Sequence, residues 1–428
     1  MISAPPLGES VRETGGARRR GSVIGMEGFA SIIRRYRQRR GKEDSGFLRL
    51  FISKRLIHGA ATSLLSLFVP IFLYEMSGRQ FWVVGSYYAV LSLAYALLLV
   101  PAMRITNRIG FSRTLVVGGV LSIGTYLIMF FMNEANFWWL LGPLSAFVIA
   151  FRLFHWVPFR VDFTLFTKAG ERGRQVSLSF ATIAFMGVVG PILAGFIVTH
   201  AGYEALFGTA IVLLAAATVS YALVPEVDAQ FEWSWGETWQ HLTSPKLRGV
   251  MVAQAASGAE AAVHMIVWPV FLFELLSGNV LQVGALSTVV VALTIVIQLS
   301  LGSYLDGSAD AKQRTLRVGS ALSALGWILK IFVLSAAQVF LVSLYHNVVR
   351  IFTRTPIAAI LYDMSAEQGR YVDEFTVLRE MSGHLGRAAS LVLIAGLAAV
   401  VPIAWTFLIA AGAAITLNMI YHLHADSQ

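Results

Sequence analysis

Cysteine is absent from this 428-residue chain, which excludes disulfide bonds and metal sites built on thiolates. Charge is scarce as well, because only 13% of the residues are charged, against about 25% in an average soluble domain. No Gly-x-x-x-x-Gly-Lys-Ser/Thr segment is present, so no P-loop in this chain binds ATP. These absences predict that the protein is not an enzyme and needs no cofactor.

Apolar segments make up most of what is present. Hydrophobic residues account for 56% of the chain, and the mean hydropathy is +0.68. Runs of about 20 apolar residues, long enough to cross the hydrocarbon of a bilayer, recur along the chain. We therefore predict an all-α integral membrane protein with twelve spans. The predicted spans 1 to 12 are residues 56–76, 82–102, 114–132, 137–159, 176–199, 204–224, 249–275, 281–303, 316–336, 338–360, 376–401 and 403–422.

The second half of the chain repeats the first. Arg113–Leu115 recurs as Arg314–Leu316, and Val69–Glu75 recurs as the similar segment Trp268–Glu274, both at a spacing of about 200 residues. Paired halves in an apolar chain are typical of transporters, whose site lies between the repeats. We predict two six-helix bundles related by a pseudo-twofold axis. The expected parts are a basic cytoplasmic tail (1–55), a first bundle (56–224), a cytoplasmic linker (225–248) and a second bundle with a short tail (249–428).

Basic residues are concentrated in alternate loops, which we call the basic side, whereas the loops of the opposite side carry Arg79 and little else. Since basic loops stay in the cytoplasm, we predict that both termini are cytoplasmic. The membrane expected is a bacterial-type inner membrane or one derived from it. The net charge of +9 is then a topology signal, and we expect no nucleic-acid partner. The loops of the basic side carry Arg104, Arg108, Arg113, Lys168, Arg172, Arg174, Lys246, Arg248, Lys312, Arg314, Arg317 and Arg370.

The segment before the first span has a helical pattern of its own. Phe29, Ile32, Ile33 and Tyr36 follow helical spacing among arginines. Such a segment can lie on anionic lipid, at about 1 kcal/mol per basic residue. The alternative is a topology flank without lipid specificity. The first apolar run has no cleavage pattern, which predicts a signal anchor rather than a cleaved signal peptide.

Loop motifs add a family resemblance over roughly residues 48–424. Asn107–Arg113 resembles the Asp-Arg-x-Gly-x-x-Arg segment of the major facilitator superfamily, with Asn107 where that family usually has Asp. The corresponding second-half loop keeps Gly302–Asp306, and Glu171–Arg174 is similar to the family's Arg-Gly signature after span 4. The resemblance implies alternating access, with spans 1, 4, 7 and 10 lining a central cavity. It also implies gating roles for loop residues Asn107, Arg108, Arg113, Glu171, Arg174, Asp306, Arg314, Glu367 and Arg370.

Ionisable residues inside the predicted spans are candidates for the transport site, since each is costly in hydrocarbon. Span 4 carries Arg152 and His155, and span 10 carries His346, Arg350 and Arg354. The last two lie one helical turn apart, which is unfavourable without an anion between them. That anion is either a bound substrate or a gate carboxylate; the gate candidates are Asp162, Asp363, Glu171 and Glu367.

Two acid–histidine pairs at a spacing of four residues add further candidates. Glu260 and His264 lie well inside span 7. A buried carboxylate beside an imidazole can exchange a proton at physiological pH, can ligate a transition metal, or can serve only to pack helices. Glu380 and His384 repeat the spacing in span 11 beside Arg387, and their place near the cytoplasmic end favours a gate.

Three functions are compatible with these residues. The first is a monomeric secondary transporter that moves a small solute, with an anion as one candidate, together with a proton. The second is a permease for a transition metal such as iron, or for a metal complex, which would use Glu260 and His264. The third is a transporter-fold protein that no longer transports and acts as a scaffold or sensor. The partners expected are the bilayer, the solute and H⁺.

Overall fold

The structure is a computed structural model that describes residues 47–166, 172–226, 230–301, 309–367 and 372–422. In these ranges all regular structure is helical, and no strand is present. We number the membrane helices α1 to α12 in chain order, and the linker helix is Trp235–Leu242.

The helices before the linker helix form the first half of the protein, and those after it form the second half. Helices α5 and α6 form one run that is divided at Gly202, where the backbone leaves the helical region with φ 79° and ψ 174°. The first half contains α1 (Phe47–Met76), α2 (Phe81–Ile109), α3 (Phe111–Phe130), α4 (Phe137–Phe166) and α5–α6 (Arg172–Tyr221). The second half contains α7 (Pro245–Leu275), α8 (Val280–Leu301), α9 (Ala309–Ile331), α10 (Ala336–Glu367), α11 (Val372–Leu397) and α12 (Ile403–Thr416).

Seven helical segments of the described chain are long and apolar enough to cross a bilayer on length and composition alone. They are α1 to α4, the α5–α6 run, α7 and α8. Helices α9 to α11 carry more charge, and α12 is shorter, so their place in the membrane depends on neighbouring helices that cover the polar side chains. With their polar side chains covered by neighbouring helices, α9 to α12 complete the predicted all-α membrane fold of two six-helix halves.

The internal repeat is visible in the turns that follow α1 and α7. Gly78 and Arg79 have positive φ angles of 69° and 62°, and Ser277 and Gly278 have angles of 55° and 79°. In the first turn the N–H of Arg79 donates to the carbonyl of Tyr74 at 2.9 Å. In the second, the N–H of Gly278 donates to Phe273 at 2.8 Å. Left-handed backbone at corresponding places confirms that the sequence repeat is also a structural repeat.

Helices α1 and α7 are irregular near their middle. Helix α7 widens into a π-helical segment at Val263–Val267, just before Trp268 and Pro269. Helix α1 contains a π-helical segment at Phe51–Ile57 and is interrupted between Leu65 and Phe68. Proline has no N–H to donate, and π-helical turns are frequent at functional sites. Both helices therefore depart from regular α-helical geometry where they line the cavity.

The two halves contact each other through α2 with α11 and α5 with α8. Gly284 of α8 lies directly against the backbone of Pro191 in α5, where a Cβ would overlap the Pro191 carbonyl. Nearby, the Thr288 hydroxyl donates to the Val188 carbonyl at 2.7 Å. In the other contact, the rings of Tyr95 (α2) and His384 (α11) are 4.1 Å apart. Small and hydroxyl residues allow this close approach of helices in a membrane.

The linker helix begins with a capping box. The Glu237 N–H donates to the Ser234 hydroxyl at 3.2 Å, and the Ser234 N–H donates to the Glu237 carboxylate at 2.6 Å. The hydrogen bonds from Ser234 lower the pKa of Glu237 below its usual value. On the next turn Trp235 and Trp239 stack with ring centroids 5.5 Å apart. These bonds define where the helix starts in a segment that lacks a long apolar run.

Candidate functional site

A cavity with two lobes lies between the halves, about midway along α1, α4, α7 and α11. The first lobe has a volume of about 600 Å³ and the second about 400 Å³. Because the lobes share wall residues, they are parts of one space. The shared residues are Ser63, Ser66, Gly187, Ala261 and Met265.

The charged residues that line the cavity are all basic. Among the described residues, no Asp or Glu lines either lobe. A concave surface of one charge sign focuses its field and concentrates ligands of the opposite sign. The cavity therefore suits an anion. The first lobe is lined by Lys54, Arg55, Arg152 and Arg387, and the second by Lys330, Arg350 and Arg354.

Arg152 and Arg387 reach the first lobe from opposite halves, on α4 and α11 respectively. In the described structure, Nη1 of Arg152 and Nε of Arg387 are buried and have no hydrogen-bond partner. The two guanidinium groups also repel each other electrostatically. Buried donors without acceptors destabilise a protein, and an anion between these groups would satisfy both. The sequence identified Arg152 as a site residue, whereas Arg387 was noted only as a neighbour of the Glu380–His384 pair expected at the gate.

His155 contacts Lys54, which lines the first lobe of the cavity. The Lys54 ammonium lies 2.5 Å from Nε2 of His155, and His155 itself is fully buried. The ring of His58 stacks on the ring of His155, with the two ring centroids 4.5 Å apart. Lys54 is also 4.6 Å from the Trp156 ring, a cation–π contact. This α1–α4 contact orients a cavity lysine that the sequence reasoning did not single out.

Glu260 is bonded to α9 and α10. Its Oε1 accepts from Nε1 of Trp327 at 3.2 Å and from the Ser323 hydroxyl at 3.4 Å. It also lies 3.8 Å from Nε of Arg350 and 3.9 Å from Nε2 of His346. Two of the residues predicted in span 10 therefore meet the carboxylate predicted in span 7.

His264 is not bonded to Glu260 in the described structure, although the sequence places it one turn away. It lines the second lobe, and its buried Nδ1 has no hydrogen-bond partner among the described residues. A π-helical segment starts at Val263, so Glu260 and His264 are not separated by one regular α-helical turn. No group of three or more His, Asp or Glu residues in the described part of the chain is arranged to hold a metal ion.

Lys330 is held between two indole rings. Its Nζ lies 4.0 Å from the Trp268 ring and 4.1 Å from the Trp327 ring, and the residue is only 1% exposed. Trp327 thus contacts Lys330 with its ring face and Glu260 with its N–H. Sequence reasoning missed Lys330; the available signal was a lone lysine in the apolar span 316–336.

Comparison with known proteins identifies the family. The sequence model of the Major Facilitator Superfamily matches residues 55–372. The chain belongs to this superfamily. A comparison with curated proteins found no match.

Solved structures of major facilitator transporters share the fold. The human organic anion transporter MFSD10 (TETRAN) superposes with a TM-score of 0.62 at 12% identity, covering 88% of this chain and 99% of that one. The peptide transporter POT is similar in two structures, a mutant in complex with alafosfalin (TM-score 0.61) and a complex with sulfate (0.62). Each is 13% identical and covers 90% of this chain and 94% of that one. Identities this low show the fold alone.

Ion pairs connect the halves of this major facilitator protein at both ends. On the basic side, Nη1 of Arg160 (α4) lies 2.7 Å from Oε1 of Glu380 (α11). On the opposite side, Nη1 of Arg79 lies 3.8 Å from Oε1 of Glu274. The first pair is short and half-buried, whereas the second is exposed, so the first holds the halves together more strongly.

The loop residues with expected gating roles fall into three groups. Arg113 pairs with Glu226, at the start of the linker, at 3.8 Å, and Arg108 and Arg314 are exposed. Glu171, Asp306 and Arg370 lie outside the described residues, as do the side chains of Arg174, Glu367, Asp162 and Asp363.

Asn107, the departure from the family's aspartate, binds the linker. Its Nδ2 donates to the Phe231 carbonyl at 2.7 Å, and its Oδ1 accepts from the Phe231 N–H at 3.0 Å. Phe231 is buried, and the next residue, Glu232, donates its N–H to the Glu374 carboxylate of α11 at 3.0 Å. An aspartate can accept but cannot donate, so this two-bond contact requires the amide.

Replacing Asn107 by Asp should therefore destabilise the protein by about 1–3 kcal/mol, because a carboxylate oxygen would face the Phe231 carbonyl. Thermal unfolding of the purified protein in detergent measures the effect. Asn279→Asp is the matched control, since the hydrogen bond of the Asn279 side chain within the described structure uses its Oδ1, as an acceptor from the Gln282 N–H at 3.0 Å. Equal unfolding temperatures for the two variants would contradict the role of the amide.

Proposed function

We propose that this protein is a proton-coupled secondary transporter of a small anionic solute, which moves by alternating access between the two halves. The observation that carries the proposal is the basic cavity, in which cationic side chains from both halves face one space. The similar human structure is that of an organic anion transporter, which agrees with this choice of substrate charge.

The anion is bound first by Arg152 and Arg387. These side chains come from different halves and repel each other electrostatically. An anion between them replaces this repulsion with two charge-assisted contacts, which draws the halves together around the solute. These contacts connect the two halves, so a bound anion favours a state in which the cavity is closed on both sides. From this state the protein can open toward either side.

Opening toward the basic side then requires that the Arg160–Glu380 pair separate, and opening toward the opposite side that Arg79 and Glu274 separate. Each pair joins the halves at only one end. Breaking one while keeping the other lets the halves rotate against each other around the central cavity, as alternating access requires.

Glu260 is the proposed proton site. When its carboxylate is ionised, it balances Arg350, at 3.8 Å. When it is protonated, Arg350 loses this counter-charge and becomes available to the anion. Proton and anion thus favour each other's binding, which gives symport of the two.

A transition metal at Glu260 is disfavoured by the same contacts. A metal cation beside the carboxylate would face the Arg350 guanidinium, and His264 is not directed at Glu260 in the described structure. The donor set therefore supports an anion and a proton better than a metal or metal complex.

The experiment that tests the substrate charge is a binding panel. Purified protein would be titrated with carboxylates, sulfate, phosphate, amines and neutral sugars of similar size, and the thermal unfolding temperature recorded. Anions should raise it in a concentration-dependent way. Stabilisation by amines or sugars alone would overturn the proposal.

A further inference from the structure

We propose that the solute is a dianion with its two anionic groups at opposite ends of an uncharged body, one end in each lobe of the cavity. This inference rests on the proposed anion transport and names its substrate class.

Each lobe has basic groups that lack a carboxylate partner. In the first lobe, neither Arg152 nor Arg387 forms an ion pair with a described residue. In the second lobe, Glu260 balances Arg350, but Lys330 lies within 4 Å of no described carboxylate. One anionic group can satisfy only one lobe and would leave buried positive charge in the other.

The two indole rings around Lys330 hold its side chain in place without giving it a carboxylate partner. The faces of Trp268 and Trp327 attract a cation through their quadrupoles but carry no net charge. Trp327 is itself fixed by its hydrogen bond to Glu260 at 3.2 Å. Lys330 lines the second lobe, so an anionic group of a ligand in that lobe can approach its amino group.

The wall between the lobes determines the middle of the ligand. The residues shared by both lobes are uncharged, namely Gly187, Ala261 and Met265 together with the hydroxyl residues Ser63 and Ser66. A charged centre would find no ion-pair partner among them, whereas methylene groups would pack against Ala261 and Met265. A compact dianion such as sulfate fits in one lobe and leaves the other unbalanced.

The experiment compares linear α,ω-dicarboxylates of four to ten carbons with their own monomethyl esters. The ester keeps the length and body of the ligand but removes one charge. Dissociation constants are measured by calorimetry on the full-length protein in detergent. One chain length should bind best, and its diacid should bind about tenfold or more tightly than its ester, as expected for one charge-assisted contact.

Variants assign the second charge to Lys330. Lys330→Met should reduce the diacid-to-ester affinity ratio to near one, and Lys330→Arg should retain the preference for the diacid. Arg152→Gln should weaken both ligands. Lys246→Met is the control, because Lys246 is an exposed lysine outside the cavity.

The outcomes separate this inference from the function on which it rests. If the wild-type protein binds diacid and ester equally and loses both with Arg152→Gln, the solute is an anion but not a two-ended one. The inference also fails if sulfate binds as tightly as the best diacid, or if Lys330→Met weakens the ester as much as the diacid. If neither carboxylate binds, the proposed anion transport fails with it.

Discussion

Replacing Arg152 or Arg387 by Gln should weaken the binding of anions by about tenfold to a hundredfold, the effect of losing one buried charge-assisted contact. The same change removes the repulsion between the two guanidinium groups, which are unpaired in the described structure. Without ligand, each variant should therefore unfold at the same temperature as the wild-type protein or at a higher one. Calorimetry and thermal unfolding measure the two effects.

This combination distinguishes a binding role from a structural one. A residue that only supports the fold would lower the unfolding temperature when replaced. Arg317→Gln is the matched control, because Arg317 is exposed on α9. The double variant Arg152→Gln/Arg387→Gln should lose less than the sum of the single losses, since both groups contact one anion. Unchanged affinity in both single variants would remove these arginines from the site.

Glu260→Gln should abolish accumulation of the anion driven by a pH gradient while sparing its exchange down a concentration gradient. Glutamine imitates the protonated acid, and its amide oxygen can still accept from Trp327 and Ser323. Arg350 would then stay free of its counter-charge, so anion binding should persist while its dependence on pH disappears.

The measurement is uptake into proteoliposomes, in which exchange and gradient-driven accumulation are recorded separately. Glu204→Gln serves as the control, because Glu204 is an exposed carboxylate near the break between α5 and α6. Accumulation at the wild-type level in the Glu260→Gln variant would return Glu260 to a packing role. Loss of exchange as well would mean that the carboxylate supports the anion site itself.

The fold was predictable from sequence because the signals were local and repeated. The segment that ends at Glu75 and its copy at Glu274 are followed by turns with the same left-handed backbone, as their spacing predicts. The break between α5 and α6 was visible in the sequence as well, because Gly202 lies between the predicted spans 176–199 and 204–224.

The sequence predicted which charged residues belong to the candidate site, but not which residues they contact. Charged residues in apolar spans identified Arg152, Glu260 and Arg350, since burial makes such residues costly. The partner of Glu260 depends on how α7, α9 and α10 are rotated against each other, and spacing within one helix cannot give this. The π-helical segment Val263–Val267 changes that rotation further.

Lys330 and Arg387 show the same limit. A single lysine in an apolar span is usually interpreted as a residue whose side chain extends to the membrane–water interface. The two indole rings around Lys330 become visible only when α7 is packed on α9. The sequence showed Arg387 only as a neighbour of Glu380 and His384, the pair expected at the gate. Because Arg387 and Glu380 are seven positions apart, α11 reaches both the gate and the cavity.

Flux measurements in proteoliposomes determine whether the cavity transports an anion together with a proton. The labelled probe is the carboxylate that binds most tightly to the purified protein. With an acidic exterior, the wild-type protein should accumulate the probe above its external concentration, and a proton ionophore should abolish the accumulation. The Arg152→Gln variant should show neither uptake nor exchange. Binding of the probe without flux under any gradient would contradict the account and favour a transporter-fold protein that acts as a scaffold or sensor.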